Sequence, residues 1–484
     1  MQSCMKPDEV KKVENMSDVI RCGKSTGYSI MNENDRGAFL KSKFSKKIRR
    51  NDMKKRIFAA LMCMTLAVSM ISGCSSGKSN GGESAGSGET GGGEQSGNKL
   101  VFWTLQQSSK DIETAQNEAV EEFEKEYGCE VEITAFPYTE LRDKLITALS
   151  GGKGPDIVMM DQIWTGQYAS SGFVYDLGEF IEKEDGILKE DYFPGAWDSC
   201  SYLGKTYGLP FDVGVWGMLY YNKDMFKKAG LDPEKAPETW EELLDYGKKM
   251  TTDTQYGIAT WIGTGDAVQC MVDAFTFSGG GALVSDDHTE VLLNSEEGIA
   301  ALDFWNECSK ISSPGVAGRG EDDSFKLFAS GQCAMAYYGE WGQDTLASMA
   351  PDMDYGVALL PVPEGGTSIG TLGGFNLGIN ANSENKELAW DFIKYTTRED
   401  VNEKIVDLTP ANKNAAAKFL NENRKYPDAI TEQLEKALFR PTLPNYPEMA
   451  EIQRTATQSV ILGECDSKTA LDKAAEGVKG LLKK

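Results

Sequence analysis

The stretch YGLPFDVGVWGMLYYNKDMF, residues 207–226, combines the signals of a chain crossing with those of a buried strand. Pro210 fixes its own φ and favours an extended conformation at the preceding residue, so the chain should straighten there before it enters another packed unit. The apolar and aromatic run 218–221 then predicts a strand. We therefore expect a boundary between two lobes here, with Asp212 and Trp216 placed beside it to contact a ligand.

The region before this crossing alternates strands and helices. Strands are predicted at 99–104, 130–136 and 156–160, and helices at 111–127 and 140–149. This order is typical of an α/β fold with a parallel sheet covered on both faces. Binding sites on such sheets lie beyond the carboxyl ends of the strands. The side chains predicted to reach a ligand from these ends are Trp103, Gln106, Asp161 and Trp164.

The region after the crossing repeats the same combination of strand ends with polar and aromatic side chains. Predicted strands 256–260 and 333–338 end next to tryptophans, and Gly373-Gly374 would let the backbone approach a ligand closely. Arg440 follows as a candidate for charged recognition. The candidate ligand-binding residues from this region are Trp261, Glu340, Trp341, Gly374, Phe375 and Arg440.

Prolines indicate further crossings near Pro361 and Pro410, which gives three in all. Two lobes joined by three crossings would rotate as near-rigid bodies when a ligand binds. The predicted first lobe comprises residues 99–211 and 362–409, and the predicted second lobe comprises residues 212–361 and 410–484.

Several segments carry a resemblance to a known family. LPFDVGVWGMLYYNKDMFKKAGLDPEKAPETWEELLDYGKKM (209–250), GGKGPDIVMMD (151–161), FKLFASGQCAMAYYGEWG (325–342) and ALDKAAEGVKGLL (470–482) resemble extracellular solute-binding proteins of ABC transporters, family 1, the carbohydrate-binding, maltose-binding-protein-like lipoproteins. The resemblance implies a two-lobed, class II periplasmic-binding-protein-like fold. It also implies a sugar-stacking role for Trp341 and a membrane permease as partner.

The first 98 residues predict export and anchoring rather than a folded domain. Lys54, Lys55 and Arg56 precede an apolar core at 57–71 that is typical of a signal peptide and too short for an ordinary spanning helix. Ile71-Ser72-Gly73-Cys74 has the form of a bacterial lipobox, which predicts a lipidated Cys74 after a signal peptide at 53–73.

The segments on either side of this signal are not expected to fold. We expect translation to start at Met53, with an extended leader over 1–52 as the alternative. Residues 74–98 are rich in Gly, Ser and Glu and predict a flexible tether. The protein is therefore predicted to lie outside the cytoplasm, attached to the cell membrane through Cys74.

Charge excludes one class of partner. The formal net charge is −24, and residues 74–484 carry 35 Lys and Arg against 67 Asp and Glu. Such a body would repel nucleic acid, and the only expected contact with the membrane is through the lipid anchor. The six cysteines after Cys74 are scattered singly, without metal-site or redox spacing.

An enzymatic function is not favoured. The chain has one histidine, His288, and no phosphate-binding, zinc-protease or dinucleotide-binding motif. No metal or other cofactor is expected. Asp212 and Glu340 could form the carboxylate pair of a surface glycosidase, but the same groups suit the binding of sugar hydroxyls. We expect a monomeric binding protein for a carbohydrate, with an oligosaccharide favoured, and an amino acid, peptide or polyol receptor as the alternative.

Overall fold

The computed structural model describes residues 98–184, 186–263 and 267–482. The predicted leader, signal peptide, lipidation site Cys74 and tether up to residue 97 lie outside the described residues. None of the helices in the described part of the chain combines the length and the apolar character needed to cross a bilayer.

The described residues form 14 strands, numbered in chain order. They are β1 (Lys99–Leu105), β2 (Glu130–Phe136), β3 (Ile157–Asp161), β4 (Ser201–Tyr202), β5 (Lys205–Thr206), β6 (Leu209–Pro210), β7 (Asp212–Asn222), β8 (Tyr256–Ala259), β9 (Cys333–Gly339), β10 (Tyr355–Leu359), β11 (Thr371–Gly373), β12 (Phe375–Ile379), β13 (Thr409–Pro410) and β14 (Leu438–Phe439).

Helices connect and cover these strands. In chain order they are α1 (Lys110–Tyr127), α2 (Tyr138–Ser150), α3 (Thr165–Ser170), α4 (Gly178–Glu182), α5 (Pro194–Ser199), α6 (Lys223–Lys228), α7 (Trp240–Met250), α8 (Ala267–Ser278), α9 (Glu296–Lys310), α10 (Glu321–Ala329), α11 (Gly342–Met349), α12 (Lys386–Thr396), α13 (Glu399–Ile405), α14 (Lys413–Asn423), α15 (Pro427–Lys436), α16 (Tyr446–Ile461) and α17 (Ser467–Leu482). Short 3-10 turns lie at Gln162–Trp164, Lys189–Asp191 and Val316–Gly318.

Local sequence signals explain where several helices begin and end. Ser109 accepts a hydrogen bond from the backbone N of Ile112 at the start of α1, and Gly128 ends that helix in the left-handed conformation. At α7 the Thr239 hydroxyl accepts from the N of Glu242, whose carboxylate accepts from the N of Glu238. Together these two hydrogen bonds cap the first turn of α7.

The first lobe is built on the sheet β2-β1-β3-β12-β6. Its first three strands are parallel, β12 is antiparallel to β3, and β6 is antiparallel to β12. The predicted order of strands and helices before residue 161 is confirmed. Since β1 and β3 are parallel, their carboxyl ends meet at the same edge of the sheet, and Asp161 lies at that edge.

The second lobe is built on the sheet β14-β11-β7-β9-β8, with β7 at its centre. β7 pairs with β11 through residues 214–216 and with β10 through residues 218–222. On its other side it pairs with β9, and the register shifts between Trp216 and Met218. Most of the 11 residues of β7 are buried, which explains the continuous apolar run in the sequence.

Three short segments connect the two sheets. The first is Phe211, between β6 of one sheet and β7 of the other. The second is Gly374, between β11 and β12. The third precedes β13, which pairs with the start of β7 at Val213 and Asp212.

The predicted position of the second boundary, at residue 362, is wrong. Val362 exchanges backbone hydrogen bonds with Glu238 and Trp240, and Thr367 donates one to Ser278, all in the second lobe. Residues 362–373 therefore belong with the second lobe, and the chain returns to the first lobe at Gly374. The prolines at 361 and 363 limit the end of β10 instead of marking a change of lobe, because proline cannot continue a strand ladder.

Candidate functional site

A cavity of about 250 Å³ lies between the two lobes, at the carboxyl end of β3. Both lobes contribute to its wall. The lining residues are Tyr138 and Asp161 from the first lobe, Gly214, Trp216, Ala267, Cys270, Glu321, Trp341, Gly373 and Arg440 from the second, and Gly374 and Leu408 from the connecting segments. Five of the twelve predicted ligand-binding residues are among them: Asp161, Trp216, Trp341, Gly374 and Arg440.

Asp161 is the charged residue that the first lobe contributes to the cavity wall. Its Oδ2 accepts a hydrogen bond of 2.9 Å from the Tyr138 hydroxyl, and its Oδ1 accepts one of 3.1 Å from the backbone N of Ile163. Arg440 of the second lobe brings its Nη2 to 3.7 Å from the Asp161 Oδ1. The carboxylate is therefore held in one orientation by partners from both lobes.

Two tryptophan rings form the aromatic wall on the second lobe's side. Trp216 and Trp341 meet edge to face, with ring centroids 4.8 Å apart and an interplanar angle of 89°. Gly339 makes this placement feasible, since a Cβ at that position would lie 2.2 Å from the Trp341 ring. Each indole is half-buried, so part of its surface is left for a ligand.

The connecting segment at Gly374 is fixed by close backbone contact. Gly374 has φ +125°, and a Cβ there would lie 2.4 Å from the carbonyl oxygen of Asp212. The neighbouring N of Phe375 donates a 2.8 Å hydrogen bond to the Asp212 carboxylate. Asp212 therefore joins the first and second connecting segments, and burial raises the pKa of its carboxyl well above the usual range.

Glu340 joins β7 to the strand that follows the third connecting segment, β13. Its carboxylate accepts hydrogen bonds from the backbone N of Val215, at 3.2 Å, and from the Thr409 hydroxyl, at 3.1 Å. The side chain is fully buried and does not line the cavity. Desolvation raises the pKa of Glu340 to about 7, although the charge of Arg424 opposes the shift.

This raised pKa predicts a pH-dependent stability. The folded protein binds the Glu340 proton more tightly than an unfolded chain, whose glutamate titrates near 4.5. The stability that this proton contributes is fully present below about pH 4.5 and is lost as the pH rises through about 7. Chemical denaturation of wild type and Glu340→Gln at pH 5, 6, 7 and 8 should show a smaller fall in unfolding free energy for the variant. Parallel pH profiles for the two proteins would contradict this role of Glu340.

The structure corrects the placement of three predicted aromatic residues. Trp164 is 2% exposed and Trp261 is 1% exposed, so both lie in the core instead of on the cleft surface. Trp164 stacks behind Tyr138, and Trp261 packs against Trp305. Trp103 lies within β1 and not in a loop beyond it, with its ring against Phe136.

Four further predicted residues do not line this cavity. Asp212 and Glu340 are buried, and their carboxylates bind the connecting segments, as described above. Gln106 is exposed beyond β1, and its backbone N donates to the carbonyl oxygen of Phe136. The ring of Phe375 is half-buried, and its centroid lies 6.4 Å from that of the Tyr138 ring. Direct ligand contact by Gln106, Phe375 and Trp103 stays a prediction.

The lining side chains that the sequence analysis missed are Tyr138, Glu321, Ala267, Cys270 and Leu408. Tyr138 is 43% exposed and follows Pro137 directly after the carboxyl end of β2. The rule that nominated Asp161 and Trp103 applies equally to this strand end, so the signal was available. Glu321 begins α10 after a Gly-rich loop, a position that no strand rule indicates.

Comparison with known proteins identifies the family. The model of the bacterial extracellular solute-binding proteins matches residues 107–403, which is more than half of the chain. The chain is a bacterial extracellular solute-binding protein. The resemblance predicted from the sequence is confirmed.

Relatives of this solute-binding protein include sugar receptors. It is 26% identical over 448 residues to the galactooligosaccharide-binding protein of Bacillus subtilis, covering 89% of this chain and 98% of that protein. It is 27% identical over 396 residues to the arabinooligosaccharide-binding protein of the same organism, covering 78% of this chain and 85% of that protein.

Solved structures support the two-lobed periplasmic-binding-protein fold of this solute-binding protein. An ABC transporter solute-binding protein from Thermotoga lettingae, bound with alpha-D-tagatose, is 32% identical with a TM-score of 0.68, over 80% of this chain and 100% of that one. Maltose-bound MalE3 of T. maritima is 28% identical with a TM-score of 0.66, over 79% and 99% of the two chains. The predicted fold class is therefore confirmed.

Proposed function

We propose that this protein is the substrate-binding component of an ABC importer and that it binds a neutral carbohydrate in the cavity between its lobes. One observation carries the proposal: aromatic rings and hydrogen-bonding groups from both lobes face a single cavity. Tyr138 and Asp161 stand on one side, and Trp216 and Trp341 stand on the other. The permease of the importer is the expected protein partner, and we propose that the receptor acts as a monomer.

The chemistry of these side chains suits a sugar. The C–H faces of a pyranose pack on flat aromatic rings, while carboxylates and guanidinium groups bind its hydroxyls. Trp341 and Trp216 supply the flat surfaces in this cavity. Asp161, Glu321 and Arg440 supply the acceptors and donors.

Other polar solutes are the alternative ligands. Relatives include an sn-glycerol-3-phosphate-binding protein, 25% identical over 398 residues, and a probable amino-acid-binding protein, 27% identical over 289 residues. An anionic ligand needs a cationic group to receive it. Arg440 is the one cation among the described lining residues, and it already faces Asp161. This arrangement favours a neutral ligand.

A glycosidase is not supported by the geometry. The acids first considered for it, Asp212 and Glu340, are 4% and 0% exposed and point into the connecting segments. The relatives described above are binding proteins. We therefore propose a receptor without catalytic residues.

A thermal-shift screen tests the ligand class. Mono- and oligosaccharides, polyols, amino acids, peptides and sn-glycerol 3-phosphate would each be added to the purified protein. A ligand at 100 times its dissociation constant stabilises the folded state by about 2.7 kcal/mol, so we expect a clear rise in melting temperature with at least one neutral sugar. A rise with amino acids, peptides or glycerol phosphate and none with sugars would overturn the proposed ligand class.

We also propose that the protein is anchored through a lipidated Cys74, which lies outside the described residues. The motif ISGC at 71–74 after a short apolar segment supports this. Two or three acyl chains, at about 0.8 kcal/mol per buried CH₂, would hold the receptor at the membrane. Mass spectrometry of the membrane-extracted native protein should find a lipidated Cys74 at the N-terminus, and Cys74→Ser should abolish the attachment. An intact N-terminus at Met1 would contradict both the anchor and the expected start at Met53.

A further inference from the structure

The charged side chains of the cavity indicate which ligands it selects. This inference rests on the proposed carbohydrate-binding function. Three of the described lining residues are charged: Asp161, Glu321 and Arg440. Arg440 and Asp161 come from opposite lobes, yet their side chains are only 5% and 9% exposed. Two groups this far removed from water interact strongly, because the local dielectric constant is well below that of the solvent.

Each of the two groups also has contacts within its own lobe. Asp161 is fixed from its own lobe by the Tyr138 hydroxyl and the backbone N of Ile163. The guanidinium of Arg440 lies over the ring of Tyr446, at 5.7 Å from its centroid, on the other lobe. Each group therefore has contacts on its own lobe, and the Asp161–Arg440 pair joins the two lobes.

We propose that Asp161 is a built-in counter-ion for Arg440 and that this pairing makes the cavity select neutral ligands over anionic ones. A buried guanidinium needs a compensating negative charge. Asp161 supplies that charge from the protein, so a neutral ligand leaves Arg440 with its counter-ion. A carboxylate or phosphate on the ligand would compete with Asp161 for Arg440 and would be repelled by it.

The substitution Asp161→Asn tests this directly, because it removes the charge and keeps an acceptor oxygen for the N of Ile163. The probes are matched pairs of neutral sugars and their uronic acids, glucose with glucuronate and galactose with galacturonate, measured by calorimetric titration at constant ionic strength. Wild type should prefer the neutral member of each pair. In Asp161→Asn the ratio of the two affinities should move toward the uronate by at least tenfold, and Asp161→Asn with Arg440→Gln should abolish the gain.

Glu321→Gln is the matched control, since it removes an acid from the same cavity wall. A shift toward uronates of the same size in Glu321→Gln would overturn the proposal, because overall charge would then explain the effect. An unchanged affinity ratio in Asp161→Asn would overturn it as well.

Inorganic sulfate gives a readout that does not depend on any sugar. Sodium sulfate should raise the melting temperature of Asp161→Asn more than that of wild type or of the double variant, with sodium chloride at equal ionic strength as the reference. If no sugar binds wild type but sulfate stabilises Asp161→Asn more than wild type, the proposed carbohydrate-binding function is contradicted. The counter-ion role of Asp161 is then still supported. Equal effects of sulfate on wild type and Asp161→Asn would count against the counter-ion role.

Discussion

Replacement of Trp341 by alanine is expected to weaken sugar binding ten- to hundredfold. The half-buried indole forms the cavity wall together with Trp216, and its loss removes both the flat stacking surface and the apolar area that a bound sugar would cover. Such a loss corresponds to about 1–3 kcal/mol. Calorimetric titration with the sugar that stabilises wild type most in the thermal-shift screen measures the effect.

Trp197→Ala is the control for this substitution. Trp197 is also a half-buried tryptophan, but it packs against Tyr192 in the first lobe and does not line the cavity. It should lower stability and leave the sugar affinity of the folded protein unchanged. Undiminished binding in Trp341→Ala, or an equal loss in Trp197→Ala, would contradict the role assigned to the Trp341 ring.

Gly374→Ala is expected to destabilise the fold by about 3–5 kcal/mol, as the sum of backbone strain and overpacking. The positive φ of +125° is one that residues with a Cβ rarely adopt, and the added methyl would lie 2.4 Å from the Asp212 carbonyl oxygen. Relief of that clash would displace the second connecting segment. It would also disturb the hydrogen bond between Phe375 and Asp212. Urea unfolding measures the change in free energy.

Gly365→Ala is the control for Gly374→Ala, because it introduces backbone strain without a steric conflict. Gly365 also has a positive φ, +77°, but a Cβ there would meet no atom within 4 Å. We expect a cost of only about 1 kcal/mol at this exposed turn. Similar losses for the two variants would show that the close packing at Gly374 does not determine its effect.

The fold was largely predictable because its signals are local. Alternation of strands and helices before residue 161, the extended geometry at Pro210 and the apolar run of β7 all correspond to elements of the structure. The second boundary was misplaced because proline marks the end of a strand equally well within a lobe and between lobes. The backbone bonds of Val362 to Glu238 and Trp240, and of Thr367 to Ser278, assign that segment to the second lobe.

The binding site was predictable only in part, because burial depends on neighbours that are distant in sequence. The position of Trp164 after β3 resembles that of a cleft residue, but Tyr138 covers its ring. Trp261 follows β8, and Trp305 of α9 packs against it in the core. The same reasoning applies to Glu340, whose partners Val215 and Thr409 lie 125 and 69 residues away.

Tyr138 was missed for the opposite reason. Its position after β2 is local information, but the strand-end residues predicted from the sequence follow β1 and β3 and not β2. The arrangement of Tyr138 over Trp164 and beside Asp161 becomes apparent only when α2 is placed against the sheet.

A crystal structure of the protein grown with the most stabilising sugar tests the central claim most directly. We predict electron density for the sugar between the lobes, with a ring face against Trp341 and hydroxyls within hydrogen-bonding distance of Asp161 or Arg440. Density for the sugar at another surface, with the cavity between Tyr138 and Trp341 empty, would contradict the account.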